Sequence, residues 1–223
     1  MPHTLALPET PAYRNQAHHM ARDTDGRLAY FLPGDPGRAD IEAFIAATFH
    51  DTYGAHLSHF SDTLIGCRDP DGRWSAALGY SLAASGPTFL EQYLDAPLET
   101  EIGGRLGRPV ARGQIVEVGN LAASHAGAAR TLIVRTTELL YHMGLRLVAF
   151  TATASLLNSF GRLHLQPQLL APANPRRLPD GGQAWGSYYD THPQVMFGDI
   201  QYGYEKLARL SSRQRCNAER RPA

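Results

Sequence analysis

The stretch Ile115–Arg130, IVEVGNLAASHAGAAR, constrains this chain more than any other. It begins as a strand, because Ile115, Val116, Val118 and Leu121 are apolar and branched residues suit a pleated surface. It breaks at Ser124-His125-Ala126-Gly127, and the small residues Ala128 and Ala129 lead into a helical pattern. A strand, a small-residue loop and a helix N-terminus expose backbone N–H groups, and the helix dipole favours an anion there. One acid, Glu117, lies inside the strand just before the loop. An anion cradle beside a buried carboxylate suggests acyl transfer from a pantetheine-type donor. The same residues also describe an ordinary strand–loop–helix corner with a structural glutamate, and alone they favour that description.

Around this stretch the pattern alternates strand and helix. Arg27–Leu32 reads as a first strand, and Asp40–Tyr53 as a helix, with Ile41, Phe44, Ile45, Thr48 and Phe49 at helical spacing. Thr63–Arg68 and Trp74–Ala83 flank Asp69-Pro70-Asp71-Gly72, a hairpin signal. Phe89–Leu106 is partly helical and interrupted at Pro97. After Ile115–Leu121 comes a helix from about Ala128 to His142, then the near-continuous apolar strand Leu145–Thr151. Ser155–Leu163 reads as a short helix and Gln168–Ala171 as an edge strand. Trp185–Ile200 is aromatic and irregular, with two short strands expected around His192-Pro193. This order predicts an α/β fold with one mixed sheet. The expected organisation is a flexible N-terminal arm over 1–25, a single domain over 26–205 and a basic tail over 206–223 that begins as a frayed helix and passes into disorder.

At 223 residues and 43% apolar content the chain can bury a sizeable core. Its formal net charge is zero, which gives no global attraction to nucleic acid or an anionic membrane. Lys206 is the single lysine, so nearly all positive charge is arginine. Cys67 and Cys216 form neither a disulfide framework nor a zinc spacing, which fits reduced thiols in the cytoplasm. No basic and apolar leader opens the chain, and no run of about 20 apolar residues suggests a membrane span.

The element order resembles the GCN5-related N-acetyltransferase fold: a mixed, mostly antiparallel central sheet flanked by helices. More specifically, YGAHLSHF, FLEQYLDAP, GRPVARGQIVEVGNLAAS and WGSYYDTHPQV resemble the bacterial thermostable hemolysin family, over roughly Phe44 to Ile200. The family's name implies lysis of red cells. The fold relationship implies kinship with acyl-homoserine-lactone synthases and N-acyl amino acid synthases. In those synthases the strand before the donor loop carries an E-x-S-R pattern. Here Glu117 matches its glutamate, and Asn120 replaces its arginine. The acetyltransferase loop pattern Q/R-x-x-G-x-G/A corresponds to Ser124–Ala129, with Gly127 and Ala129 retained. A later helix in that fold usually carries an Asn and then a Tyr that protonates the leaving thiolate. Phe160 stands where the Tyr would be, and Asn158 lies within the same stretch.

The resemblance implies an N-acyltransferase taking its acyl group from acyl-CoA or phosphopantetheinyl acyl-carrier protein, with no permanently bound cofactor and a small amine as acceptor. Glu117 is the expected general base, since burial would raise its pKa; a structural pairing with Arg112 or Arg146 is its other reading. Leu121, Ser124, Gly127, Ala128, Ala129, Arg130 and Asn158 are expected at the donor. Glu91, Tyr93, Tyr188, Tyr189 and Asp190 are expected at the acceptor. A solvated loop around Glu91, and aromatics that merely close the sheet around Trp185, stay open. His56 and His59 have a three-residue spacing that would bring them together on a helix, but they lack a third metal ligand. The competing classes are a membrane-lytic protein and a non-catalytic acyl-thioester-binding module.

Overall fold

The computed structural model describes residues 28–219. Its strands are β1 (Leu28–Phe31), β2 (Thr63–Arg68), β3 (Trp74–Leu82), β4 (Ile115–Ala123), β5 (Leu147–Ala152), β6 (Gln168–Pro172) and β7 (Gln194–Asp199). They form one sheet in the order β1-β2-β3-β4-β5-β7-β6. Every pairing is antiparallel except that of β4 with β5. The helices are α1 (Arg38–Tyr53), α2 (Leu98–Leu106), α3 (Ala126–His142), α4 (Ala154–Arg162) and α5 (Ile200–Glu219). This is the mixed, mostly antiparallel sheet flanked by helices that the element order predicts.

Alternation along the strands divides the core into two layers. Ile115 of β4 and Ala149 of β5 pack with Leu98 and Ile102 of α2 and with Leu90 of a 3-10 turn, Phe89–Tyr93. Val116, on the opposite face, packs with Leu132, Leu139 and Leu140 of α3. Phe150 and Ala152 of β5 meet Leu156 and Phe160 of α4 on that same face.

The alternation fails once, inside β4. Ala77 pairs with Ala122 and Gly79 with Gly119, so Leu78 of β3 faces two residues, Asn120 and Leu121. Asn120 takes φ 53, a left-handed conformation that few residues other than glycine adopt and that asparagine tolerates. Its Oδ1 accepts hydrogen bonds from the Ser61 N–H (3.0 Å) and Oγ (3.1 Å), and its Nδ2 donates to the His59 carbonyl (3.3 Å). Gly79 admits this contact, because a Cβ there would sit 2.6 Å from that of Ser61. The bulge carries Leu121 to the α3 side, with Val116 and Val118. Strict alternation places Leu121, four residues on, on the face of Glu117; the extra residue reverses it.

Three further expectations change. Helix α5 runs unbroken from Ile200 to Glu219, so the helix expected at the start of the tail continues one that begins within the domain; 220–223 lie outside the described residues. Leu207, 3% exposed, packs with Ile133 of α3 and Leu163, which anchors this helix to the domain past 205. Trp185–Ile200 holds one strand, not two: 3-10 turns Gln183–Trp185 and Tyr188–Thr191 precede β7. His56 and His59 lie on an irregular segment rather than a helix. The expected arm over 1–25 lies outside the described residues.

Asn120→Ala is expected to destabilise the fold by roughly 1–3 kcal/mol, through backbone strain and the lost tether to Ser61. Asn120→Gly, which keeps the φ, should cost less. Urea unfolding of both variants checks the order; equal or reversed losses would mean that the left-handed bulge is not what Asn120 supplies.

Candidate active site

Strands β4 and β5 pair from Ile115–Leu147 to Val118–Phe150 and no further. Beyond that point β4 stays with β3 and β5 stays with β7, so the two strands part. A cavity of about 510 Å³ occupies the parting. Glu117, Val118, Gly119, Asn120 and Leu121 line it from β4, and Val148, Phe150 and Thr151 from β5. On one side of the sheet its wall is aromatic, with Phe89, Tyr93, Trp185 and Tyr188. On the other side Ile133, Leu140, Phe160 and Leu165 make it largely aliphatic.

Glu117 is 6% exposed and still lines this cavity. Its two carboxylate oxygens accept hydrogen bonds from the Phe89 N–H (2.8 Å) and the Leu90 N–H (3.1 Å). Burial pushes its pKa up to about 7; the two backbone donors hold it back in part, and the charges of Glu91 and Asp62 add to the rise. Neither Arg112 nor Arg146 pairs with it: Arg112 is bound to Glu91 and Glu99, and Arg146 to Gln201. Among the described residues Glu117 has no ion-pair partner.

The donors of Phe89 and Leu90 are held by a second cluster. Glu91 accepts from the Thr88 N–H (2.8 Å), closing the start of the 3-10 turn, and from the Leu98 N–H (2.9 Å) at the start of α2. Arg112 grips both of its oxygens, at 2.5 and 2.9 Å, and also donates to the carbonyls of Ala83 and Gly86. Burial works to raise the Glu91 pKa, but the Arg112 hydrogen bond and the backbone donors prevail and hold it at about 2. Glu91 does not line the cavity, which places it in support of the turn rather than at an acceptor headgroup. Its signal is legible in the chain: Thr88-Phe89-Leu90-Glu91 carries the T-x-x-E spacing of a reciprocal cap.

The acceptor-side residues divide. Tyr93 and Tyr188 line the cavity. Tyr189 does not; its hydroxyl lies 2.6 Å from that of Tyr93, and burial pushes its pKa up to about 12. Asp190 is exposed and away from the cavity. The donor-side residues divide as well. Leu121 and Ala129 line the cavity, whereas Ser124, Gly127, Ala128, Arg130 and Asn158 do not. Ser124 donates from its backbone and its Oγ to the Ser75 carbonyl, which makes it a continuation of the sheet. Arg130 and Asn158 point to the surface of their helices. The α3 N-terminus is closed by His125, whose Nδ1 accepts from the Ala128 N–H at 3.2 Å. His125 also lines the cavity, and no usual capping preference announces it. Phe89 and His59, stacked at 5.2 Å, line the cavity too, hidden in the sequence because Glu117 lies 28 positions past Phe89 and Asn120 lies 61 positions past His59.

The fold is shared with solved acyl-homoserine-lactone synthases. The chain is 10% identical to the synthase LasI, with a TM-score of 0.54 over 78% of this chain and 90% of that one. It is 12% identical to the CoA-dependent synthase BjaI, solved with SAM and isopentyl-CoA, with a TM-score of 0.53 over 84% and 88%. TofI gives 16% identity and a TM-score of 0.52 over 78% and 91%. No curated protein matches. The thermostable hemolysin family model matches residues 32–204, and the chain belongs to that family.

The raised Glu117 pKa has a stability consequence. An unfolded glutamate titrates near 4.5 and the folded one near 7. The neutral acid is the favoured folded form, so its contribution is complete below about pH 4.5 and is lost as pH rises through 7. Wild type should therefore lose stability relative to Glu117→Gln across that window. Urea midpoints measured at half-unit pH steps check it; a difference that does not change with pH would remove the buried, uncompensated carboxyl.

Proposed function

We propose that the protein is an N-acyltransferase that moves an acyl group from a CoA or acyl-carrier-protein thioester to a small primary amine. The observation that carries this reading is Glu117: a buried carboxyl, bound only by backbone N–H groups, that faces a cavity where two strands part. Its pKa near 7 suits a base that must be ionised yet basic at neutral pH. BjaI, which has this fold and is described as CoA-dependent, was solved with isopentyl-CoA, and this lends support to a CoA-type donor.

The amine arrives as an ammonium ion. Glu117 takes one proton, and the freed nitrogen lone pair attacks the thioester carbonyl carbon. A C–N bond forms, the carbonyl electrons move to oxygen, and a backbone N–H in Gly119–Leu121 steadies that oxygen. The nitrogen loses its second proton to water, the oxygen electrons return, the C–S bond breaks and the sulfur leaves as thiolate. The thiolate takes a proton from water or from protonated Glu117, because Phe160 has no proton to give. The sum is thioester plus ammonium giving amide, thiol and one proton.

The parting of β4 from β5 gives the thioester arm its place, and the aliphatic side under α3 and α4 gives the acyl chain its room. His125, rather than Arg130, is the group at the α3 N-terminus that a donor would meet. No helix among the described residues is long and apolar enough to cross a bilayer.

Incubation with acyl-CoA or acyl-carrier protein and a panel of amines, followed by mass spectrometry, is expected to give amide and free thiol in equal amounts. Glu117→Gln should bind donor normally and lose roughly 10²–10⁴ in kcat/KM, the span for a positioned base. The loss should shrink at high pH, where free amine needs no base. Normal turnover by a folded Glu117→Gln would assign the base elsewhere. Dye leakage from liposomes by the purified protein, without any donor, would favour the lytic class instead.

A further inference from the structure

The wall of the cavity on the Glu117 side is a continuous aromatic surface. His59 stacks on Phe89 with ring centroids 5.2 Å apart and planes 19° from parallel. Phe89 meets Trp185 at 5.8 Å, Trp185 meets Tyr188 at 5.3 Å, and Tyr188 meets Tyr53 at 5.2 Å. These five rings all line the cavity. The peptide N–H of Phe89 is itself bound to Glu117, so the rings begin where the carboxyl is held. Their loop is clamped in place. The Ser187 N–H donates to the Tyr53 carbonyl at 2.8 Å, and the His56 N–H donates to the Ala184 carbonyl at 2.6 Å. Gly186, at φ 53, makes the approach possible, since a Cβ there would lie 2.1 Å from that same Tyr53 oxygen.

Apart from the histidines His59 and His125, the charged groups lining this space have one sign. Glu117 and Asp199 are its carboxylates, and no arginine or lysine lines it among the described residues. Aromatic faces carry partial negative charge and attract cations. A carboxylate brought here would meet ring faces and another carboxylate; an ammonium ion would meet both favourably. Flat, stiff rings also match a flat hydrophobic guest better than a branched aliphatic one.

Resting on the acyltransferase reading, we propose that the acceptor is an aromatic monoamine: a primary ammonium joined by a short carbon chain to an aromatic ring, and bearing no carboxylate. Its ammonium group sits at Glu117 and its ring lies among Phe89, Trp185 and Tyr188. Amino acids and homoserine lactone are poorer acceptors, the first for their carboxylate and the second for lack of an aromatic ring.

The test uses the full chain with an acyl-CoA and, in parallel, an acyl-carrier protein. The acceptors are phenethylamine, phenylalanine, isoamylamine and homoserine lactone. Amide is read by mass spectrometry and thiol by colour. The expected result is a kcat/KM for phenethylamine at least tenfold above each of the others. Trp185→Ala should lower the phenethylamine-to-isoamylamine ratio toward one. That ratio does not depend on how much of the variant is folded, and Trp185→Phe should restore it in part. A preference for phenylalanine, isoamylamine or the lactone overturns the aromatic-monoamine class and leaves the acyltransferase standing. If no amine is acylated, the acyltransferase reading falls. Calorimetry with phenethylamine alone then decides the site: binding weakened by Trp185→Ala supports it, and no binding overturns it.

Discussion

One strand serves two masters. β4 is shared between β3 and β5 only as far as Val118, after which it follows β3 alone. A sheet interior cannot leave backbone polar groups and side chains without partners, so the parting creates both a space and a demand for something to fill it. The left-handed residue of β4, Asn120, fixes where the change occurs, and its amide is held by Ser61 and by the His59 carbonyl from across the sheet. Leu121 then faces α3 instead of Glu117's side. This one inserted residue adds Leu121 to the aliphatic half of the cavity.

Glu117 and Glu91 show how environment divides two like groups. The first is buried without a cation and is pushed up to about 7; the second is gripped by Arg112 and held near 2. They are joined through a short piece of backbone. Glu91 and Arg112 fix the turn Phe89–Tyr93, and that turn supplies the N–H groups that hold Glu117. The permanently charged cluster makes a rigid frame in which the titrating carboxyl sits.

The strand–helix order and the hairpin at Asp69–Gly72 are readable from period and turn chemistry, because local spacing decides them. Glu117 is readable because an acid in an apolar strand stands out. The placement of Leu121 is not, since a bulge breaks the very alternation on which the reading depends. Arg130 and Gly127 fit a phosphate-loop pattern, yet His125 occupies the helix end and neither of the two reaches the cavity. Glu91 was open to two readings until the T-x-x-E spacing met Arg112 in space. The tail after 205 is polar enough to read as a helix fraying into disorder, and one buried side chain, Leu207, anchors its start.

The clamp at Gly186 separates the path of a loop from its contents. Its backbone lies so close to the end of α1 that no side chain fits at 186, whatever the neighbouring rings are. Trp185, Tyr188 and Tyr189 hang from a track fixed by peptide contacts rather than by their own packing alone. The rings can then be exchanged one at a time while the track keeps its course. This makes the aromatic wall the part of the molecule most open to retuning, in evolution or in the laboratory, and leaves the carboxyl it faces undisturbed.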